Sequence, residues 1–470
     1  MLFNSLTFLV FFAIVLALHQ LPLSWRARKS NLLGASYLFY AAWNPPFVLL
    51  LWISTLTDWF VARAMARAAS RARRRALLAT SLAINLGLLG TFKYAGFLLE
   101  NFVWLVRRAG IDFAPAAPDI VLPVGISFYT FQTLSYTFAV YRGEDRPCPS
   151  FLDYALFVTF FPQLVAGPIV RSREFLPQCA APRRASAQQL GWGLALLSFG
   201  LFEKSLLADA CLAPVADAVF GAPARAGSLD AWIGTLAFSG QIFFDFAGYS
   251  TCAIGAAACL GFALPENFRC PYAAFGFSDF WRRWHVSLSS WLRDHLYRSL
   301  GGNRRGASRT YGNLMLTMLI GGLWHGAAWH FVIWGGLHGL YLAVERALRG
   351  ERRRRAPAAG VARLALALST FAIVSLTWIF FRAQSLGDAL AILAALVPGT
   401  PGRLVSAAQA GVVLTVIGAA LVAQLRWRDA ELQSRVEAWP LWLRSGALAL
   451  ALLGLALAPG EDRAFIYFQF

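Results

Sequence analysis

The fold is decided by an uncharged stretch, TYGNLMLTMLIGGLWHGAAWHFVIWGGLHGLYLAV, which fills the chain between Arg309 and Glu345. A helix needs about 20 mostly apolar residues to cross a bilayer, so this stretch is long enough to enter the membrane and return. The charged residues at its two ends predict that both ends lie on the cytoplasmic side. We therefore predict a helical hairpin whose tip lies deep in the membrane.

The same pattern continues through the whole chain. Its 470 residues are 58% hydrophobic and 14% charged, whereas soluble domains carry about 25% charged residues. Other uncharged or nearly uncharged stretches recur at 1–25, 30–57, 76–92, 120–141, 154–170, 185–202, 231–244, 246–265, 364–381, 404–425 and 445–460. We predict an all-α polytopic membrane protein, a single domain over 1–470, with roughly 10–12 membrane helices, some of them re-entrant or interfacial.

Charge predicts the orientation of these helices. The chain has 42 Lys and Arg against 24 Asp and Glu, a net charge of +18. The sequence contains no nucleic-acid-binding motif. Retention of basic loops in the cytoplasm therefore explains the positive net charge better. Attraction to acidic lipid or to a phosphate-bearing donor is a further explanation. The basic runs are 26–29, 63–75, 171–184, 282–309, 346–355 and 426–428. The charge-poor connections 212–229 and 394–402 are then predicted to face outward. Residues 1–25 lack the basic start of a signal peptide and indicate a first span.

Five of the six histidines lie between positions 285 and 338, and His325 is the main candidate for chemistry. An ionisable group at membrane depth is a functional-site hypothesis by default. Gly322 and Gly326 allow close backbone approach or a helix break around a cavity. At about 1.5 Å per residue, His325 lies roughly 24 Å from Arg309. The competing reading is a neutral imidazole that hydrogen-bonds a neighbouring helix. We predict that His330 and His338 are such packing or hydrogen-bonding histidines. We predict no functional role for His19.

A second cluster, SDFWRRWHVSLSSWLRDH, covers 278–295. Its tryptophans and arginines suit a membrane interface, which explains most of them without any function. His285 is harder to explain in that way, and the pair Arg282 and Arg283 could hold the phosphates of a coenzyme. We expect His285 nearer the cytoplasm than His325, with both histidines facing one passage from different depths.

Histidines in a dry site suit acyl transfer. A neutral imidazole can take a proton from a hydroxyl acceptor and pass it to a leaving thiolate, and exclusion of water prevents hydrolysis. The sequence contains no GxSxG nucleophile elbow and no Walker A loop, which excludes those chemistries. None of the six cysteines forms a CxxC pair, so we predict neither a disulfide framework nor a metal site.

Several motifs together resemble the membrane-bound O-acyltransferase family, most closely its alginate O-acetylase branch. They are LPVGISFY at 122–129, FPQLVAGPIVR at 161–171, DFAGYS at 245–250, PENF at 265–268, FWRRWHVSLS at 280–289, GLWHG at 322–326 and FIYFQF at 465–470. The resemblance implies a central tunnel and a catalytic core segment at 265–345. It implies that His325 and His285 are catalytic, and that the substrate is bound by Trp281, Arg282, Arg283, Trp284, Trp324 and Asn267.

The resemblance also implies a reaction in the bacterial inner membrane. Acetyl groups would pass from a cytoplasmic donor, acetyl-CoA, to an extracytoplasmic polysaccharide such as alginate, with a periplasmic SGNH-type acetyltransferase as partner and with no bound cofactor. D-alanyl or other acyl transfer from a carrier protein stays open, as do a proton-relaying transporter and a non-catalytic scaffold. Thr251 stands where relatives commonly have Asp, and Arg298-Ser299-Leu300 stands where they often read Ile-Pro-Leu, which leaves substrate and partner open.

Overall fold

The protein is described by a computed structural model that covers residues 1–116, 118–349, 360–457, 463, 465 and 466. Within these residues the secondary structure is entirely helical. The predicted basic run 346–355 and the motif at 465–470 lie partly outside them. The α-helices are α1 Leu6–Gln20, α2 Trp25–Ala41, α3 Val48–Arg67, α4 Arg71–Leu89, α5 Ala95–Arg108, α6 Ile126–Arg142, α7 Phe151–Thr159, α8 Phe161–Leu164, α9 Ser172–Cys179, α10 Ala187–Leu201, α11 Ala213–Phe220, α12 Ser228–Cys259, α13 Phe277–Phe280, α14 Val286–Trp291, α15 Ala307–His325, α16 Trp329–Arg349, α17 Val361–Arg382, α18 Leu386–Ala395, α19 Ala407–Trp427, α20 Leu432–Glu437 and α21 Leu441–Leu457.

Five helical segments of the described chain are long and apolar enough to cross a membrane. They are Pro45–Arg67, Arg71–Arg108, Ser228–Cys259, Val361–Arg382 and Ala407–Trp427. Shorter apolar helices occur at Leu6–Gln20, Leu386–Ala395 and Leu441–Leu457. The prediction of an all-α polytopic membrane protein is therefore confirmed. The figure of roughly 10–12 membrane helices stays a prediction, because short and interrupted helices do not meet a simple length criterion.

Helix α12 is the centre of the structure and packs against α10, α11, α17 and α19. Its contact with α10 depends on small residues. A β-carbon on Gly248 would lie 2.7 Å from the carbonyl oxygen of Gly200, closer than any real side chain approaches. Facing glycines of this kind let two membrane helices bring their backbones together.

Helices α15 and α16 form the hairpin that the sequence predicts. They are joined by Gly326 and the two residues after it, and they pack closely along their length. A β-carbon on Gly322 would overlap the carbonyl oxygen of Phe331, and one on Gly326 would overlap the Phe331 ring. The glycines therefore supply both the close approach and the break in the helix.

Basic segments meet at one end of the helix bundle, and charge-poor connections meet at the other. At one end, Arg74 donates to the carbonyl of Tyr141 at 2.5 Å, and Arg142 donates to the Ser299 hydroxyl at 3.3 Å. At the other end, the two charge-poor connections meet, since the Ser228 amide donates to the Thr400 carbonyl at 3.0 Å. We call these ends the basic side and the opposite side.

Candidate functional site

His325 is the last residue of α15, at the tip of the hairpin on the opposite side. The helix has 19 residues, so about 1.5 Å per residue separates its two ends by roughly 28 Å. The imidazole is 3% exposed and packs edge-on against Trp324, Trp334 and Phe381, with ring centres 4.9, 5.0 and 5.3 Å away. The structure therefore buries His325 in a dry, aromatic environment at the hairpin tip, and its depth in the membrane stays a prediction.

A cavity of about 60 Å³ lies beside His325. We call it the hairpin cavity. Its wall combines the hairpin tip with the segment before α6, and it is lined by Trp43, Lys93, Leu122, Pro123, Val124, Gly125, Ile126, Ser127, Phe128, Val165, Trp324 and His325. Trp324 lines this cavity, and its contact with a substrate stays a prediction. The LPVGISF segment supplies most of the remaining wall.

Lys93 and Tyr94 hold the hairpin tip from outside the hairpin. They lie in a π-helical turn, Gly90–Tyr94, between α4 and α5. The Lys93 ammonium donates to the carbonyl of His325 at 3.0 Å, and the Tyr94 hydroxyl donates to that of Leu323 at 2.9 Å. These are carbonyls of the last helical turn, which lack intrahelical partners. The two side chains therefore take part in capping α15.

His285 has an unusual backbone and a fixed imidazole. Its φ of 43° lies in the left-handed region, which is rare for residues other than glycine. The ring nitrogen Nδ1 lies 3.0 Å from Oδ1 of Asn267. That oxygen also accepts from the Ser287 hydroxyl at 2.9 Å, while Nδ2 of Asn267 donates to Ser250 at 3.1 Å. With this amide orientation, Nδ1 carries the proton and Nε2 is the acceptor of the neutral ring.

His285 forms part of a wall between two cavities. On one face its ring centre lies 6.3 Å from Phe128 and 6.1 Å from Trp324, both of which line the hairpin cavity. On another face Phe246 approaches to 4.6 Å and in turn contacts Phe268, which lines the second cavity. The two cavities share no lining residue among those described, so a continuous tunnel stays a prediction.

The second cavity, of about 870 Å³, is here called the arginine pocket. It reaches from arginines on the basic side to Phe243, Phe244 and Ala247 of α12. Its inner wall also carries Glu203, whose carboxyl group accepts a hydrogen bond from Thr251 at 3.4 Å. Its size is that of pockets that hold whole small molecules. The remaining lining residues are Phe199, Glu266, Phe268, Arg269, Cys270, Asp279, Arg282, Arg283, Ala420, Ala423, Gln424, Trp427, Arg428, Asp429, Ala430, Glu431, Leu432 and Arg435.

The predicted arginine pair divides into two different environments. The Arg282 side chain is 71% exposed on the rim of the arginine pocket, and its nearest carboxylate is Asp279 at 3.9 Å. Arg283 is 13% exposed and bridges Asp279 at 3.1 Å and Asp429 at 2.7 Å. Burial alone would raise the pKa of Asp279, but the Phe275 amide, Arg283 and Arg428 hold it below its usual range. Arg282 is therefore available to a ligand, whereas Arg283 is part of an ion-pair network.

Trp281 and Trp284 line neither cavity. Trp284 is fully buried between Phe280 and Trp378, with ring centres 5.6 and 4.9 Å away. Trp281 packs against His338 at 5.1 Å. Their interaction with a substrate stays a prediction, and their contacts are those of core residues.

The other histidines make the contacts expected of packing residues. His330 has Nδ1 2.8 Å from the Phe380 carbonyl, and His338 has Nε2 3.3 Å from the Thr377 hydroxyl. Neither residue lines the hairpin cavity or the arginine pocket.

Sequence reasoning missed Lys93, Tyr94, Ser250 and Glu203. A signal existed for Lys93, because a lone cation interrupts an apolar segment there, and such a cation is a functional-site hypothesis by default. The predicted uncharged segment 76–92 ends one residue before Lys93. Ser250 belongs to the motif DFAGYS, and Glu203 directly follows the uncharged stretch 185–202, but the partner of each is set only by the fold.

Comparison with known proteins places this geometry in context. The family model described as MBOAT, membrane-bound O-acyltransferase family, matches residues 8–381. The chain is 40% identical over 398 residues to a protein named "Probable alginate O-acetylase" from Azotobacter vinelandii, covering 84% of this chain and 78% of that one. It is 38% identical over 397 residues to a peptidoglycan O-acetyltransferase of Helicobacter pylori, covering 78% and 73%. It is 31% identical over 241 residues to a teichoic acid D-alanyltransferase of Bacillus subtilis, covering 48% and 59%.

Proposed function

Because the chain belongs to the membrane-bound O-acyltransferase family and is an acyltransferase, we propose that it moves acetyl groups from cytoplasmic acetyl-CoA to an extracytoplasmic polysaccharide. The observation that carries this proposal is the position of the two histidines. His325 borders a small cavity on the opposite side, and His285 lies in the wall between that cavity and a large pocket on the basic side. Positive-inside orientation makes the basic side cytoplasmic.

The arginine pocket is the donor site in this proposal. Exposed Arg282 on its rim can bind the phosphates of acetyl-CoA, and the apolar inner part around Phe243 and Phe244 suits the acyl-bearing arm. The thioester would then lie against the wall that contains His285. A carrier protein bearing the same kind of thioester arm is the second donor class, which the distant D-alanyltransferase relative keeps open.

The two histidines carry out the proton transfers of this reaction. His325 takes the proton of the acceptor hydroxyl as the hydroxyl oxygen attacks the thioester carbonyl. The tetrahedral intermediate then collapses with cleavage of the C–S bond, and the leaving thiolate takes up the proton that His325 accepted, which restores the neutral imidazole. The Nδ1 hydrogen bond to Asn267 fixes His285 with Nε2 as acceptor, which lets it assist from the donor side. The aromatic surroundings exclude water, so the thioester is protected from hydrolysis.

The relatives guide the choice of acceptor. They are named for alginate and for peptidoglycan, two extracytoplasmic glycans. An exported polysaccharide such as alginate is therefore the proposed end point, with the bacterial inner membrane as location and a periplasmic SGNH-type acetyltransferase as the partner that completes the transfer.

The test compares two histidines of the same hairpin. His325→Ala should lower transfer of radiolabelled acetyl from acetyl-CoA by roughly 10²–10⁴-fold, the usual contribution of general acid–base catalysis. His330→Asn is the matched control and should retain near-normal transfer, because His330 lines neither cavity. The measurement is label in exported glycan per amount of protein. Equal transfer by wild type and His325→Ala would refute the proposal, and label transferred only from an acylated carrier protein would replace the donor.

A further inference from the structure

A lone lysine lies at the hairpin tip. Lys93 stands inside Arg71–Arg108, one of the segments long and apolar enough to span a membrane. A cation at that depth is costly unless it has a partner, and such residues are kept where they act. Its ammonium donates to the carbonyl of His325 at 3.0 Å and lies 5.8 Å from the centre of the Trp324 ring. Both contacts are made with the residues that line the hairpin cavity.

The π-helical turn Gly90–Tyr94 explains how Lys93 reaches that carbonyl. A π-turn adds a residue to a helical turn and changes which side chains face a neighbour, and such turns are frequent at functional sites. Here two consecutive side chains, Lys93 and Tyr94, both hydrogen-bond the last turn of α15. A few residues further on, Asn101 accepts from the Trp329 indole at 2.9 Å, at the start of α16. One helical segment thus holds both sides of the hairpin break.

The hairpin break makes this support necessary. Gly326, which follows His325, is in extended conformation, and the last carbonyls of α15 have no helical turn after them. A positive charge at the carboxyl end of a helix is favourable because it opposes the helix dipole. The Lys93 side chain donates a hydrogen bond to one of these carbonyls in a part of the protein where water is scarce.

We propose that Lys93 is the positioning residue for His325, with Tyr94 in support, and that it sets the place of the imidazole at the hairpin cavity. This inference rests on the function proposed above. It deepens that function by assigning a role to a residue from another part of the chain. A shift of about 1 Å in a reacting group can cost about 100-fold in rate, so the position of His325 must be held on both sides of the break.

The experiment measures turnover per donor-binding site in purified full-length protein. Lys93→Met should lower turnover on the order of 100-fold while the stoichiometry and affinity of acetyl-CoA binding stay at wild-type values. Lys93→Arg keeps a cationic donor and should recover most of the turnover. Tyr94→Phe removes one neutral hydrogen bond and should cost about fivefold. Arg108→Met, which removes a cation that lies over Trp104 on the same helical segment, is the control and should leave turnover unchanged.

The outcomes separate the inference from the function on which it rests. If wild type neither binds acetyl-CoA nor transfers acetyl, the proposed function fails. If wild type is active and His325→Ala is not, normal turnover per site in Lys93→Met overturns the role of Lys93. Loss of acetyl-CoA binding in Lys93→Met also overturns this role, because the defect would then be a general loss of structure. Failure of Lys93→Arg to recover turnover when its acetyl-CoA binding is normal overturns it as well, because the site would then require more than a cation.

Discussion

The hairpin cavity and the arginine pocket differ in size and in how they use charge. The first holds about 60 Å³ and is lined by Lys93 together with mostly uncharged residues. The second holds about 870 Å³ and carries five arginines alongside five acidic residues. A small cavity can admit a reacting group, whereas a large one can bind a whole molecule. Under the proposed function, the difference teaches that position matters most at the hairpin cavity, and that binding energy is supplied mainly at the arginine pocket.

If that contrast is right, the largest effect outside the hairpin comes from the wall between the cavities. Asn267→Leu removes the oxygen that accepts from His285 and frees the imidazole to rotate or change tautomer. We expect turnover to fall on the order of 100-fold with little change in the KM for acetyl-CoA. Steady-state rates with varied acetyl-CoA measure both quantities.

Ser287→Ala is the graded comparison for Asn267→Leu. It removes the hydroxyl that donates to the same oxygen and lies 3.4 Å from Nδ1 of His285, and it leaves the contact between Asn267 and His285 intact. We expect about a fivefold loss of turnover, as for one neutral hydrogen bond. Equal losses in the two variants would contradict a specific role for the Asn267 contact with His285.

An intermediate effect is expected in the arginine pocket, where a substitution should change the KM and leave turnover unchanged. Arg282→Gln removes an exposed cation from the rim and should raise the KM for acetyl-CoA about tenfold, a common value for one charge-assisted hydrogen bond. Turnover at saturation should not change. S-acetyl-pantetheine, which lacks the nucleotide phosphates, should show no difference between wild type and variant. A drop in turnover with unchanged KM would contradict the assignment of donor binding to the arginine pocket and of catalysis to the hairpin cavity.

The smallest effect is expected for an ion pair that touches neither cavity. Asp294 accepts from Arg171 at 2.5 Å and from Arg293 at 3.0 Å. Burial alone would raise its pKa, but these arginines hold the pKa at about 2. Asp294→Asn should cost about 1–2 kcal/mol of stability at pH 7 and leave turnover unchanged.

The pH dependence of that effect follows from its sign. The folded pKa is lower than the ordinary Asp value of about 3.9, so the stabilisation is complete above that value and is lost as the pH falls toward 2. Thermal unfolding in detergent should therefore separate wild type from variant at pH 7, and less so at pH 3. A separation that stays constant with pH would exclude ionised Asp294 as its cause.

The hairpin was predictable because its signal is local. An uncharged stretch between two charged ends, with glycines beside His325, specifies where a helix enters, breaks and returns. The sequence predicts that His285 and His325 face one passage from different depths, and in the structure both rings contact Trp324. The left-handed backbone of His285 and its contact with Asn267 were not predicted, because φ at one residue depends on the elements that hold it.

The sequence by itself determined the membrane character and the helical class, since composition and spacing act on each segment separately. It also made His325 and His285 the candidates for chemistry, which stays a prediction. The tertiary structure alone decided that Arg282 faces a pocket while Arg283 joins an ion-pair network, although the two are adjacent. It also decided that Lys93 meets a residue 232 positions later. Arg282 and Arg283 lie in the turn after α13 and point to different surroundings. Which direction meets a cavity, a carboxylate or a distant carbonyl is fixed only when the helices pack.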